Sequence, residues 1–132
     1  MPIERRVPRK LMLTVDVEAQ PVRASQDHVA RLIWGRFGAD QHGLAEMMQV
    51  AERHRVRLVT YLDYAERDLY GEQIFDVARE IQRRGHDLQL HLHPEFLNAE
   101  FFERRGLARV TDLNRVPDDV ARAFTELLLE SQ

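Results

Sequence analysis

The stretch DLQLHLH at residues 87–93, followed by Pro94, decides the fold. Its apolar and polar residues alternate strictly, which is typical of a β-strand that packs one face against the core. The leucines face one side of this strand, and the polar residues Gln89, His91 and His93 face the other. Because proline cannot donate to a sheet ladder, Pro94 predicts the end of the strand.

Two further stretches predict strands that precede this one. Residues 11–18, LMLTVDVE, also alternate, so Asp16 and Glu18 share the face opposite the leucine and valine side chains. Residues 56–62, VRLVTYL, are rich in β-branched and aromatic types and predict another strand.

Helices are predicted between and after these strands, at residues 44–55, 72–84 and 117–130. In each of them apolar residues recur at a helical spacing, which indicates one buried stripe. Met47 and Met48 in the first helix are both predicted to be core residues. Residues 19–42 and 95–116 show no clean period and are predicted to be irregular.

The alternation of strands and helices predicts an α/β fold with parallel strands, in a barrel or in an open doubly wound sheet. A chain of 132 residues is long enough for one domain, so residues 1–132 are interpreted as a single domain with no internal boundary.

Composition excludes several classes of function. The net charge of −3 disfavours non-specific nucleic-acid binding, which needs a basic surplus to neutralise phosphates. The lack of cysteine excludes disulfides and thiolate sites. No apolar run approaches the roughly 20 residues of a membrane span. The basic start leads into an apolar run that Asp16 and Glu18 cut short, which does not fit a signal peptide. A cytoplasmic protein with no membrane or nucleic-acid partner is therefore expected.

Polar side chains cluster where two predicted strands end. Asp16 and Glu18 close the first strand, and His91 and His93 close the third. Because the carboxyl ends of parallel strands form the sites of α/β folds, all four side chains are expected in one cavity. Two imidazoles and a carboxylate are a familiar zinc-ligand set, and a second carboxylate beside them can act as a general base.

Simpler interpretations stay open for each of these residues. A single carboxylate at a strand end is usually a cap or an ion pair, and a single histidine is usually structural. Asp63 could reach the same rim or only cap the loop after its strand. Trp34 could bind a sugar ring in a substrate groove or only pack its loop against the body. The remaining histidines are not paired with a matching ligand pair at the end of another strand: His28, His42, His54 and His86.

The chain resembles the polysaccharide deacetylases, which share the chitooligosaccharide deacetylase homology domain. The resemblance lies in LMLTVDVEAQP at 11–21, AEMMQVAERHRVRLVTYLD at 45–63 and YGEQIFDVAREIQRRGHDLQLHLHPEF at 70–96. The most specific part is RGHDLQLHLHP at 84–94. The resemblance implies a distorted (β/α) barrel, a divalent metal such as zinc, a carbohydrate partner and the removal of acetyl groups from N-acetylated sugars.

The resemblance also implies roles at the first strand. Asp16 matches the first aspartate of the family's Thr-Phe-Asp-Asp motif and is the expected catalytic base. The second aspartate of that motif is a metal ligand and would fall at Val17, which cannot bind a metal. Glu18 is the expected replacement.

At the third strand, His91 matches the family's first metal histidine. The second histidine of the family would fall at Glu95, and His93 is the nearer candidate. The family's later motifs find no match after Glu95. The chain is therefore expected to form about three βα units of the barrel and to bind metal with little or no turnover.

Two rival functions follow from the same features. Three βα units leave open sheet edges, which favours a non-catalytic metal-binding or self-assembling module and a homo-oligomer. Another metallohydrolase on a (β/α) scaffold also fits, because a fold does not fix a substrate.

Overall fold

A computed structural model describes residues 10–19, 27–94, 97–109 and 116–130. In chain order, the elements are β1 (Leu13–Val17), a π-helical turn (Val29–Ile33), β2 (Arg36–Phe37), β3 (Asp40–Gln41), α1 (Leu44–Arg53), β4 (Leu58–Asp63), a 3-10 turn (Tyr64–Glu66), α2 (Arg67–Tyr70), α3 (Glu72–Arg83), β5 (Asp87–His91), α4 (Ala99–Arg104) and α5 (Asp118–Glu130).

The main sheet has three parallel strands in the order β1-β4-β5, which confirms the predicted α/β class. Val17 lies beside Leu62, and Leu62 lies beside Leu90, so the strands are level at their carboxyl ends. The short strands β2 and β3 form a separate antiparallel hairpin.

One face of the main sheet is covered by helices. We call it the helix-covered face, and its residues are Val15, Val17, Leu58, Thr60, Leu62, Leu88 and Leu90. Leu44 and Met48 of α1 and Ile74 and Ile81 of α3 are buried in the same core as Val17, Leu58 and Leu62. The alternation in the sequence therefore places Val17, Leu58 and Leu62 under the helices, as predicted. Leu11 and Leu13, predicted to lie on the same face, are exposed, at 85% and 41%.

The opposite face is only partly covered by the described residues. We call it the open face, and its residues are Thr14, Asp16, Val59, Tyr61, Asp63, Gln89 and His91. Asp16 and Gln89 are exposed, whereas Tyr61 is half-buried. The open face thus carries the polar half of the alternating pattern.

A second apolar cluster lies beyond the carboxyl end of the sheet. Phe101 and Phe102 of α4 pack with Phe124 of α5, and the Phe101 and Phe124 rings stack at 5.6 Å. Ala65 of the turn after β4 and Leu97 are buried in the same cluster. The helix α4 begins at Asn98, whose side chain accepts a hydrogen bond from the Phe101 amide at 2.8 Å.

The β2–β3 hairpin is closed at its base by two glycines. Gly35 has φ 63°, and a Cβ atom there would lie 2.3 Å from the His42 carbonyl carbon. A Cβ atom on Gly43 would lie 2.4 Å from the Trp34 carbonyl carbon. The backbones on the two sides of the hairpin base therefore approach at a distance that only glycine allows. Helix α1 starts directly after this contact.

The irregular segments of the sequence contain structure that the pattern does not predict. The segment 19–42 holds the π-helical turn and the hairpin, and α4 lies within 95–116. Met47 was predicted to be a core residue, which is wrong, because its side chain is 46% exposed while Met48 is fully buried. The buried stripe of α1 is Leu44, Met48 and Ala51, and Met47 lies at its margin.

The predicted strand 87–93 ends at His91 rather than at His93. The reason is that β4 ends at Asp63, the register partner of His91, so β4 offers the ladder no further partner. Of the alternative ligand positions, Glu95 lies outside the described residues.

Within the part of the chain that the structure describes, no helix has the length and apolar character needed to cross a bilayer.

Candidate metal centre

Three side chains of metal-ligand type converge at the carboxyl end of the main sheet. Glu18 directly follows β1, His91 ends β5, and His93 follows two residues later. The Nε2 atom of His93 lies 3.1 Å from Oε2 of Glu18 and 3.0 Å from Nε2 of His91. One ligand atom from each residue lies within 4.8 Å of the other two. We call Glu18, His91 and His93 the ligand cluster.

The donor chemistry of the ligand cluster fits a divalent cation. A single proton on His93 Nε2 can serve only one of its two close contacts, whereas lone pairs on all three residues can point at one cation. Ligand atoms on a tetrahedral zinc at about 2.0–2.2 Å lie about 3.3–3.6 Å apart. The distances of 3.0 and 3.1 Å come within a few tenths of an ångström of that separation.

Burial also suits a metal site with an open position. The His93 side chain is 32% exposed and that of Glu18 is 17% exposed, so the ligand cluster is shielded but reachable from solvent. The structure thus brings together the three residues that the sequence predicts as ligands. The identity of the ion as zinc stays a prediction.

Asp16, the predicted catalytic base, lies on the open face two residues before Glu18. Its register partner in β4 is Tyr61, and its side chain is exposed, while the neighbouring Val17 is buried. An exposed carboxylate at this point is accessible to a substrate that approaches the open face. Its catalytic role stays a prediction.

Asp63 lies at the carboxyl end of β4, between the strands that carry the ligand cluster. Its Oδ1 atom accepts hydrogen bonds from the Ala65 amide at 3.0 Å and from the His93 amide at 3.3 Å. The residue is fully buried, and Oδ2 has no hydrogen-bond partner among the described residues. Burial raises the pKa of Asp63 to about 6, against the lowering effect of those two hydrogen bonds. The capping role that the sequence left open is therefore observed, and the same carboxylate also contacts the backbone of His93.

Glu66 is a buried carboxylate that the sequence analysis missed. Both of its oxygens accept a hydrogen bond from the amide of Ala19, at 2.8 and 2.7 Å, although the two residues are 47 positions apart. The spacing Asp63 to Glu66 is that of a helix-capping box, which could have predicted a helix start here. Local spacing could not reveal that Glu66 contacts the segment after β1.

His28 and Tyr70 surround the same segment. The His28 Nδ1 atom lies 2.8 Å from the Ala19 carbonyl oxygen and 2.7 Å from the Tyr70 hydroxyl. Since a carbonyl can only accept, Nδ1 carries the proton in the bond to Ala19. Burial raises the pKa of Tyr70, and the nearby charge of Glu66 raises it further.

Trp34, predicted to bind substrate, lies on the other side of the molecule. It is half-buried against the helix-covered core and lines a cavity of about 630 Å³ with residues of α1 and α3. The described residues that line this cavity include no member of the ligand cluster. The packing role that the sequence left open is thus observed, and a sugar-binding role stays a prediction.

No protein-family model, curated protein or solved structure matches this chain.

Proposed function

We propose that this protein is a metal-dependent hydrolase of the polysaccharide deacetylase type, acting on N-acetyl groups of carbohydrates. The observation that carries the proposal is the convergence of Glu18, His91 and His93 at the carboxyl end of a parallel sheet. That end of the strands is where α/β folds bind their ligands. The sequence resemblance contributes the choice of carbohydrate amides as substrates.

The strand order fits a barrel. Strands follow one another across the sheet in chain order, and the helices α1 and α3 pack on the same face. Each half of a doubly wound sheet has the same arrangement, because its strand order reverses only between the two halves. The choice of the barrel is therefore contributed by the sequence resemblance. The described strands would then be three βα units of a (β/α) barrel, with the open face turned inward.

Each residue of the site has a role in the proposed reaction. Glu18, His91 and His93 would hold the cation, and zinc supplies Lewis-acid chemistry when it is bound. Asp16 would take the proton of the water that attacks the acetyl carbonyl. Asp16 would then give that proton to the amide nitrogen as the C–N bond breaks, so that acetate and a free amine are the products.

The test is zinc calorimetry together with an assay of acetate release from chitin oligomers. The chain is expected to bind one zinc ion, and His91→Ala is expected to lose that binding. Asp16→Asn is expected to keep zinc affinity, and whatever acetate release the wild-type chain shows should fall by about 100-fold or more, since removing a general base has an effect of that size. A wild-type chain that binds no zinc would contradict the proposal.

A second candidate is a non-catalytic module that assembles with copies of itself. The observation that favours it is a group of exposed apolar side chains on or near the edge strand β1: Leu11, Met12, Leu13, Met47 and Val50. Such a patch at an edge strand is typical of an association surface. Zinc binding without any acetate release, together with concentration-dependent sedimentation, would favour this candidate. A monomer at high concentration would exclude self-assembly.

A further inference from the structure

We propose that the turn after β4 positions the metal centre, because its two buried carboxylates each hold the backbone of one ligand-bearing segment. Glu66 holds the segment of Glu18, and Asp63 holds the segment of His93. The inference rests on the proposed metal-dependent function, since it assigns positioning residues to that same site. Neither carboxylate belongs to the ligand cluster.

The contact of Glu66 with the first segment is direct. Ala19 follows Glu18 in the chain, and its amide donates to both oxygens of Glu66, at 2.8 and 2.7 Å. Glu66 and Ala19 are both fully buried. Hydrogen bonds to an ionised carboxylate are about twice as strong as neutral ones, and burial shields them from water.

The other polar group of Ala19 is fixed as well. Its carbonyl accepts a hydrogen bond from His28, which also contacts the Tyr70 hydroxyl. Side chains, rather than a strand ladder, therefore hold both backbone groups of the residue next to Glu18. This arrangement fixes the direction in which the chain leaves β1.

Asp63 acts in the same way on the other segment. The β4–β5 ladder ends at the pair of Asp63 and His91, and the amide of His93 donates to Oδ1 of Asp63 at 3.3 Å. The carboxylate takes the place of the missing ladder acceptor. It holds the chain two residues beyond the strand, where His93 turns toward Glu18.

The sheet geometry explains why such positioning is needed. Glu18 and His93 follow β1 and β5, which are not neighbours, because β4 lies between them. Strands two places apart in a sheet are separated by about 9.5 Å. The side chains of Glu18 and His93 nevertheless meet at 3.1 Å, so they converge over the end of β4. The turn at that end is the element that contacts both segments.

The test compares zinc affinity in the full chain by calorimetry. Glu66→Gln and Asp63→Ala are each expected to weaken zinc binding by about 10- to 100-fold, the usual effect of removing groups that orient metal ligands. Alanine is needed at position 63 because asparagine would keep the Oδ1 acceptor. The matched control is Glu52→Gln. It removes a carboxylate that accepts hydrogen bonds from Nε and Nη2 of Arg84, near the start of β5, and is expected to leave zinc affinity unchanged.

A second control separates positioning from general loss of stability. Ile81→Val trims the buried core and lowers the melting temperature without touching the turn, so it is expected to retain zinc affinity. If Glu66→Gln and Asp63→Ala both bind zinc as tightly as the wild type, the inference is wrong. It is equally wrong if Ile81→Val weakens zinc binding as much as they do.

A nuclear magnetic resonance measurement on the wild-type chain requires neither zinc nor a folded variant. The amide proton of Ala19 is expected to resonate far downfield and to be protected from exchange. The amide proton of His93 is expected to show a smaller downfield shift and weaker protection, because its hydrogen bond to Asp63 is longer. Ordinary, rapidly exchanging amides at both positions would overturn the inference. A wild-type chain that shows these amides but binds no zinc would instead contradict the proposed function alone.

Discussion

The two faces of the main sheet differ in what their residues do. On the helix-covered face, Leu58 and Leu62 are buried beneath α1 and α3. On the open face of the same sheet, Asp16 and Gln89 are exposed. Strand alternation places the two sets on opposite faces, and Asp63, at the end of the open face, is buried by the segments that follow the sheet.

The comparison shows that the apolar residues of the core and the polar residues of the proposed site lie on different faces of one sheet. The helix-covered face is apolar apart from Thr60, whereas the carboxyl end of the open face collects His91 and Asp63. A substitution should therefore affect folding or zinc binding according to the face on which it lies. Three measurements test this separation.

The largest effect is expected from a cavity under the helices. Leu62 is fully buried, so Leu62→Ala should lower the free energy of unfolding by about 2–5 kcal/mol. On the open face, Gln89→Ala should change it by about 0.5 kcal/mol or less, since Gln89 is exposed. Urea unfolding of the two variants measures both values. Similar losses would show that the open face is also part of the core.

Zinc should stabilise the folded chain through the open face. At a free zinc concentration 100-fold above Kd, the expected gain is about 2.7 kcal/mol, seen as a higher melting temperature. His91→Ala should abolish this gain, because it removes one member of the ligand cluster. An equal gain in wild type and His91→Ala would place the zinc elsewhere.

The smallest effect concerns Thr60, the polar residue of the helix-covered face. Its hydroxyl donates to the Asp87 carbonyl at 2.8 Å and is fully buried. Thr60→Val keeps the shape of the side chain but removes the hydroxyl that donates to the Asp87 carbonyl. The free energy of unfolding should therefore fall by about 1 kcal/mol. Thr60→Ser, which keeps a hydroxyl, is the matched control and should retain the hydrogen bond. A Thr60→Val variant as stable as the wild type would mean that the bond contributes nothing.

The sequence predicts the parallel sheet from the order of strands and helices. It also predicts the convergence of Glu18, His91 and His93, because the carboxyl ends of parallel strands lie at one edge of the sheet. It does not predict the roles of Glu66 and His28, which contact Ala19 from distant parts of the chain. Such contacts leave no periodic signal, since only the fold brings the partners together.

The short helical segments escape prediction for a related reason. The π-helical turn is held by the burial of Val29 and Ile33 in the core, and α4 is held by Phe101 and Phe102 in the second cluster. Tertiary packing, rather than local periodicity, stabilises segments of this length. Met47 and Met48 show the same limit, because neighbouring residues of a helix differ in burial according to what packs beside them.

The closed base of the β2–β3 hairpin makes its tip a convenient point of attachment. Gly35 and Gly43 let the two backbones lie in close contact at the base of the hairpin. At the tip, Gly38 has open space around it and Ala39 is exposed. Added residues at such a tip enlarge an exposed turn and leave the base of the hairpin in place. A fluorescent label or an immobilisation tag inserted between Gly38 and Ala39 should therefore leave both the core and the zinc affinity of the chain unaltered.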